Sequence, residues 1–121
     1  QVGPAVVKAG DEKKSLSFST NNEQTREHLN FFSLAQDKAG RHMEPFIVDI
    51  EPSKESDYKL STHEGEEFIY VLDGSIEINY GKEVYQLEKG DTIYIDSVVA
   101  HNVHAAGSKS AKILAVVYTP V

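Results

Sequence analysis

Among the histidines and acidic residues of this chain, three have a spacing that metal chemistry can use. The segment His63-Glu64-Gly65-Glu66-Glu67 runs directly into the apolar stretch Phe68 to Leu72. A four-residue separation returns the side chains of His63 and Glu67 to the same face of an extended chain. His101 follows after residues 68 to 100, enough chain for several strands to fold back. Two imidazoles and one carboxylate on one face of an ion make the facial triad of non-haem iron sites, which leaves positions open for water or substrate. A carboxylate facing a barrel interior is costly as an unpaired anion, and a cation supplies the partner it needs. Each residue alone also has an ordinary reading, a hydrogen-bonded strand side chain in the core or at the surface. The sequence contains no cysteine, so disulfides, thiolate zinc sites and cysteine nucleophiles are excluded. Any metal must be held by nitrogen and oxygen, and this donor set suits iron, nickel, manganese, cobalt or zinc without distinguishing them.

The elements that must position these residues read as strands. Helical periodicity is hard to find, while short β-branched and aromatic runs alternate with glycine and aspartate turns, the pattern of an all-β sandwich or barrel. Strands are expected at Leu16 to Phe18, His28 to Leu34, Pro45 to Ile50, Phe68 to Leu72, Ile76 to Tyr80, Val84 to Leu87, Thr92 to Ile95, Val99 to Val103 and Ile113 to Tyr118. Asp73-Gly74, Tyr80-Gly81-Lys82, Lys89-Gly90-Asp91 and Gly107-Ser108 place glycine where turns need it, so the chain is expected to meander. Asp11-Glu12-Lys13-Lys14 reads as a solvated turn, and residues 21 to 27 and 52 to 57 as surface loops. The run Phe68 to Leu72 is apolar on both faces, so neither side should meet water. His104 has the opposite parity to His101 and is expected at the surface. Tyr58, Tyr70, Tyr85 and Tyr94 are candidates to offer hydroxyls to a pocket, or else core residues.

A chain of 121 residues is the size of one domain, and the composition, 40% hydrophobic and 26% charged, is that of an ordinary globular protein. No apolar run approaches the roughly 20 residues that span a bilayer. A net charge of -7 argues against direct contact with nucleic acid, whose phosphates are bound mainly by Lys and Arg. The chain begins at Gln1 with no secretory signal pattern, and it reads as an excised, cytoplasmic fragment.

The run His63 to Gly74, HEGEEFIYVLDG, resembles the first motif of the cupin superfamily, and Gly90-Asp91-Thr92-Ile93-Tyr94-Ile95 followed by His101 resembles the second. The resemblance implies a small all-β cupin barrel, a jelly roll, over residues 1–121, with 1–40 as N-terminal strands and 41–121 as the barrel core. It implies His63, Glu67 and His101 as ligands of a divalent metal. Ser61 stands where full-site members carry another histidine, which implies a three-ligand site with Ser61 lining the pocket. Tyr58, Lys59 and Tyr94 are the further ligand-binding candidates. Asp96 and Val98 replace the usual proline and glycine of the second motif, so the loop before His101 is expected to differ in shape.

From Arg41 to His101 the chain also resembles the C-terminal cupin domain of bacterial helix-turn-helix regulators of the XRE type. That resemblance implies a sensor: a small-molecule effector bound beside the metal, a homodimer formed through the outer sheet, and DNA reached only through an attached domain, since residues 1–40 form no helix-turn-helix. The alternative is a mononuclear non-haem metal enzyme, epoxidase-like or dioxygenase-like, using the same three ligands. Imidazole binds a cation only when neutral, so acid should release the metal under either reading.

Overall fold

The computed structural model describes residues 3–15, 28–53 and 60–120. Within them the strands are β1 (Lys13–Ser15), β2 (Leu29–Ser33), β3 (Met43–Ile50), β4 (Glu66–Asp73), β5 (Ile76–Tyr80), β6 (Glu83–Leu87), β7 (Thr92–Asp96), β8 (His101–Ala105) and β9 (Ala111–Tyr118). They form a six-stranded sheet in the order β1-β2-β3-β9-β4-β7 and a three-stranded sheet in the order β6-β5-β8. Every pairing is antiparallel. No helix of the described residues is long and apolar enough to cross a membrane.

The expected all-β jelly-roll barrel is present, and its strands alternate between two sheets instead of running as the simple meander that the turns suggested. After β4 the chain passes to the small sheet for β5 and β6, returns for β7, crosses again for β8 and returns for β9. Period-two alternation explains why both sheets close on one core. Phe46, Val48, Ile50, Ile69, Val71, Ile76, Ile78, Ile113, Ala115 and Val117 all face inward and are almost fully buried. Phe31 and Phe46 meet edge to face at 5.4 Å, which fixes β2 against β3 on this inner surface.

Two glycines bound β4 for a steric reason. Gly65 has φ 114°, and a Cβ there would lie 1.9 Å from the carbonyl oxygen of Tyr118 at the end of β9. Gly74 has φ 77°, and a Cβ there would lie 2.8 Å from the carbonyl oxygen of Ser110 just before β9. β4 is therefore flanked on both sides by a position where the chain of β9 passes too close for any side chain.

Three expectations need correction. Lys13 and Lys14 lie in β1 rather than in a turn, paired with Ser33 and Phe32, and a short charged strand suits an exposed sheet edge. The predicted strand Val99 to Val103 begins two residues later, because Val99 N–H donates to the carbonyl of Asp96 and closes a turn there. The two faces of β4 are also unlike: Ile69 and Val71 are buried, but Tyr70 on the opposite face is 39% exposed. The expected strand Leu16 to Phe18 and most of the two polar loops fall outside the described residues.

Candidate metal centre

Backbone pairing brings the two ends of the site together before any side chain is considered. Ser61 N–H donates to the carbonyl of His101 at 2.9 Å, and His101 N–H returns the bond to Ser61 at 3.0 Å. His63 N–H donates to the carbonyl of Ser97 at 3.0 Å, and Ser97 N–H donates to Gly65 at 2.9 Å. The segment before β4 is thus stitched to the segment before β8, although some forty residues separate them.

Glu67 is the second residue of β4, paired with Ile95 on one side and Val117 on the other, and the pleat turns it inward with Ile69 and Val71. It is 8% exposed, and His101 is 6% exposed. The rings of His63 and His101 meet edge to face with centroids 5.3 Å apart. One donor atom from each of His63, Glu67 and His101 lies within 4.8 Å of the other two. Nitrogen and oxygen ligands sit about 2.0–2.2 Å from a first-row ion and hence roughly 3 Å from one another, so small rotations of these side chains suffice to share one.

The histidines are held in the right tautomer. His101 Nδ1 lies 2.8 Å from the carbonyl oxygen of Val99, and His63 Nδ1 lies 3.2 Å from that of Glu64. A carbonyl only accepts, so in both rings Nδ1–H donates and Nε2 keeps its lone pair. Such backbone anchoring is the usual outer shell of a metal-binding histidine. With two imidazoles and a single carboxylate, the set fits a divalent transition ion better than calcium or magnesium, which prefer all-oxygen surroundings.

The donors face a small cavity of about 60 Å3. Ser61 lines it, as expected, beside His63, Glu67 and His101. Asn102 and an apolar wall that includes Phe31, Val48, Val103, Ile113, Ala115 and Val117 complete it among the described residues. Strand parity with His101 and Glu67 points to Val103 and to the inward residues of β9, but no sequence signal pointed to Asn102. Tyr58 and Lys59 lie outside the described residues.

Tyr94 does not reach this cavity. It alternates with the inward Ile93 and Ile95, is 64% exposed, and its hydroxyl donates to the carboxylate of Glu66 on the outer face. That hydrogen bond, with minor help from desolvation and the neighbouring acidic charges, raises the Tyr94 phenol above its ordinary value near 10. Tyr70 and Tyr85 are likewise exposed rather than pocket residues. His104 departs from expectation in the opposite sense. It does turn away from the centre, but it is 6% exposed rather than at the surface. Glu77 stands directly across from it on β5 and lies 2.8 Å from its Nε2, while the Asn102 side-chain oxygen lies 2.9 Å from its Nδ1.

Comparison with known proteins agrees with this architecture. A family model described as a cupin domain matches residues 46–117. The chain is 29% identical over 118 residues to (S)-2-hydroxypropylphosphonic acid epoxidase of Streptomyces wedmorensis, covering 92% of this chain and 58% of the epoxidase. It is 36% identical over 55 residues to the uncharacterized protein MJ1618 of Methanocaldococcus jannaschii, covering 46% of this chain and 44% of that protein. A crystal structure of FeII HppE superposes with a TM-score of 0.75 at 25% identity, covering 98% of this chain and 62% of that one. A structure of hydroxypropylphosphonic acid epoxidase from S. wedmorensis gives a TM-score of 0.68 at 28% identity, over 76% of this chain and 51% of that one. The chain thus spans only about half to three-fifths of the length of these epoxidase chains.

Proposed function

Because this chain belongs to the cupin domain family, we propose that its barrel holds one divalent first-row ion on His63, Glu67 and His101 and serves a mononuclear non-haem metal enzyme acting on a small molecule. The observation that carries the reading is the convergence of three donors in one cavity, with Nδ1 of each imidazole against a backbone carbonyl. Iron comes first among the candidate metals, on the likeness to FeII HppE. When bound, such an ion supplies open positions at which a small molecule and a co-substrate can meet.

The protein's own residues do the rest. Val99 and Glu64 orient the imidazoles through their carbonyls, and Glu67 supplies the charge that favours a cation inside an apolar barrel. Phe31, Val48 and the β9 wall limit water and define where a ligand's apolar part lies. The sensor reading draws less support, since the relatives reported above are an epoxidase and an uncharacterized protein. The test is anaerobic loading with iron(II) followed by oxygen-uptake measurements on a panel of small hydroxy acids. Substrate-dependent uptake that falls about a hundredfold or more in His101→Ala supports an enzyme. Tight binding of a panel member with no turnover favours the sensor.

The outer face of the large sheet supports pairing of two copies. Phe32, Ile47, Leu114 and Tyr70 form one cross-strand row, Pro45, Val116, Phe68 and Tyr94 the next, and Met43 and Tyr118 a third. At roughly 4.8 Å between strands and about 7 Å between rows, this patch projects over ~400 Å2, below the ~800 Å2 per partner of a standard interface. A weak, concentration-dependent dimer is expected. Sedimentation equilibrium would reveal it, and Val116→Lys would abolish it; a monomer at all concentrations would rule it out.

A further inference from the structure

Charge and size together say what kind of molecule fits beside the three donors; the argument rests on the metal-centre reading above. Neutral imidazoles add no charge, so a divalent ion with the Glu67 carboxylate carries a net charge of about +1. A ligand bearing one negative charge neutralises the centre. A ligand bearing two leaves an excess anion facing Val48, Ile113, Ala115 and Val117, and no Lys or Arg lines the cavity among the described residues. Unpaired charge in such surroundings is strongly disfavoured.

Volume narrows the choice. A cavity of about 60 Å3, several times the ~10–15 Å3 that a single water needs on this measure, admits only a small molecule. Beside the three donors, the Ser61 hydroxyl is a neutral hydrogen-bonding group, and most of the remaining lining is aliphatic or aromatic. We propose that the site takes a small monoanionic chelator with an apolar tail, a 2-hydroxy- or 2-oxo-monocarboxylate of about three to five carbons, whose two oxygens face the donors and whose alkyl part packs on Val48, Val103 and Ala115. This ligand class differs in charge from a phosphonate, which the name of the epoxidase relative attaches to that protein.

The test uses the full chain loaded with cobalt(II), whose visible absorption reports changes in coordination. Cobalt uptake is measured first, so that failure of the metal centre is seen separately from failure of the ligand assignment. The loaded protein is then titrated at about pH 8.5, where a phosphonate group is doubly charged, with 2-hydroxypropanoate, 2-hydroxybutanoate and 2-hydroxyethylphosphonate. The carboxylates are expected to bind at least about tenfold more tightly than the phosphonate, and the added methylene to improve binding by up to about fourfold. Ala115→Val, which fills the apolar end, is expected to weaken carboxylate binding about tenfold while cobalt uptake stays within about twofold of the parent. Val103→Leu serves the same purpose should Ala115→Val lose its cooperative melt. Cobalt uptake with equal or tighter phosphonate binding overturns the ligand class alone, most directly if Lys59→Ala then weakens the phosphonate. Carboxylate binding unaffected by the filling variants overturns it as well. Absence of cobalt uptake overturns the metal centre and this inference with it.

Discussion

Glu66 and Glu67 are neighbours on β4, yet the pleat sends them into different worlds. Glu67 turns inward, is nearly buried, and lies within coordinating reach of two imidazoles. Glu66 turns outward and accepts the hydroxyl of Tyr94 on a face open to solvent. The same division runs along the strand, with Ile69 and Val71 in the dry core and Phe68 and Tyr70 on the outer surface. Residue type alone does not separate these pairs. What separates them is the register that β9 and β7 impose on β4, and a slip of one residue would exchange the two faces completely.

The most damaging way to break this comparison is to disturb that register at its anchor. Gly65→Ala places a methyl group inside the carbonyl of Tyr118 and also strains a positive φ, so a loss of more than about 3 kcal/mol in urea unfolding is expected. Gly90→Ala, at a similar φ but in open space, should cost only about 1 kcal/mol. Equal losses would show that the close approach to β9 is not what demands Gly65. Within the strand, Ile69→Ala is expected to cost about 2–5 kcal/mol in dilute solution, whereas Tyr70→Ala next to it should cost less than about 1 kcal/mol. Similar values for the two would mean that the outer face is as tightly packed as the inner one.

The smallest effect sharpens the contrast between the two glutamates. Because the Tyr94 phenol is raised, the folded chain holds that proton more tightly than the unfolded one. Its contribution to stability is complete below pH 10 or so and is lost as pH rises through the higher folded value. Glu66→Gln should bring the ultraviolet titration of Tyr94 back toward its ordinary position and leave metal uptake untouched. A titration unchanged by Glu66→Gln would remove the hydrogen bond as its cause.

Much of this arrangement was legible in the sequence because alternation and turn glycines carry it. β2 to β9 all lie within two residues of the expected strands, and His63, Glu67 and His101 come together as their spacing suggested. The misreadings share a cause, which is that neighbouring strands decide what a local pattern cannot. Lys13 and Lys14 carry no apolar alternation, and only β2 makes them a strand. Tyr94 looked like a pocket residue by type, but its parity with Ile93 and Ile95 sends it outside. His104 was correctly turned away from the centre, yet Glu77 and Asn102 enclose it on a face expected to be open.

The central claim is that the inward carboxylate and two imidazoles share one ion, and elemental analysis tests it most directly. The protein and its variants would be purified without a nickel column, offered iron(II) anaerobically, desalted and measured by inductively coupled plasma mass spectrometry. The account predicts about one iron per chain for the parent and for Glu66→Gln, and less than about a tenth of that for Glu67→Gln and His101→Ala. Iron retained equally by Glu67→Gln and the parent, or absent from the parent, would contradict it.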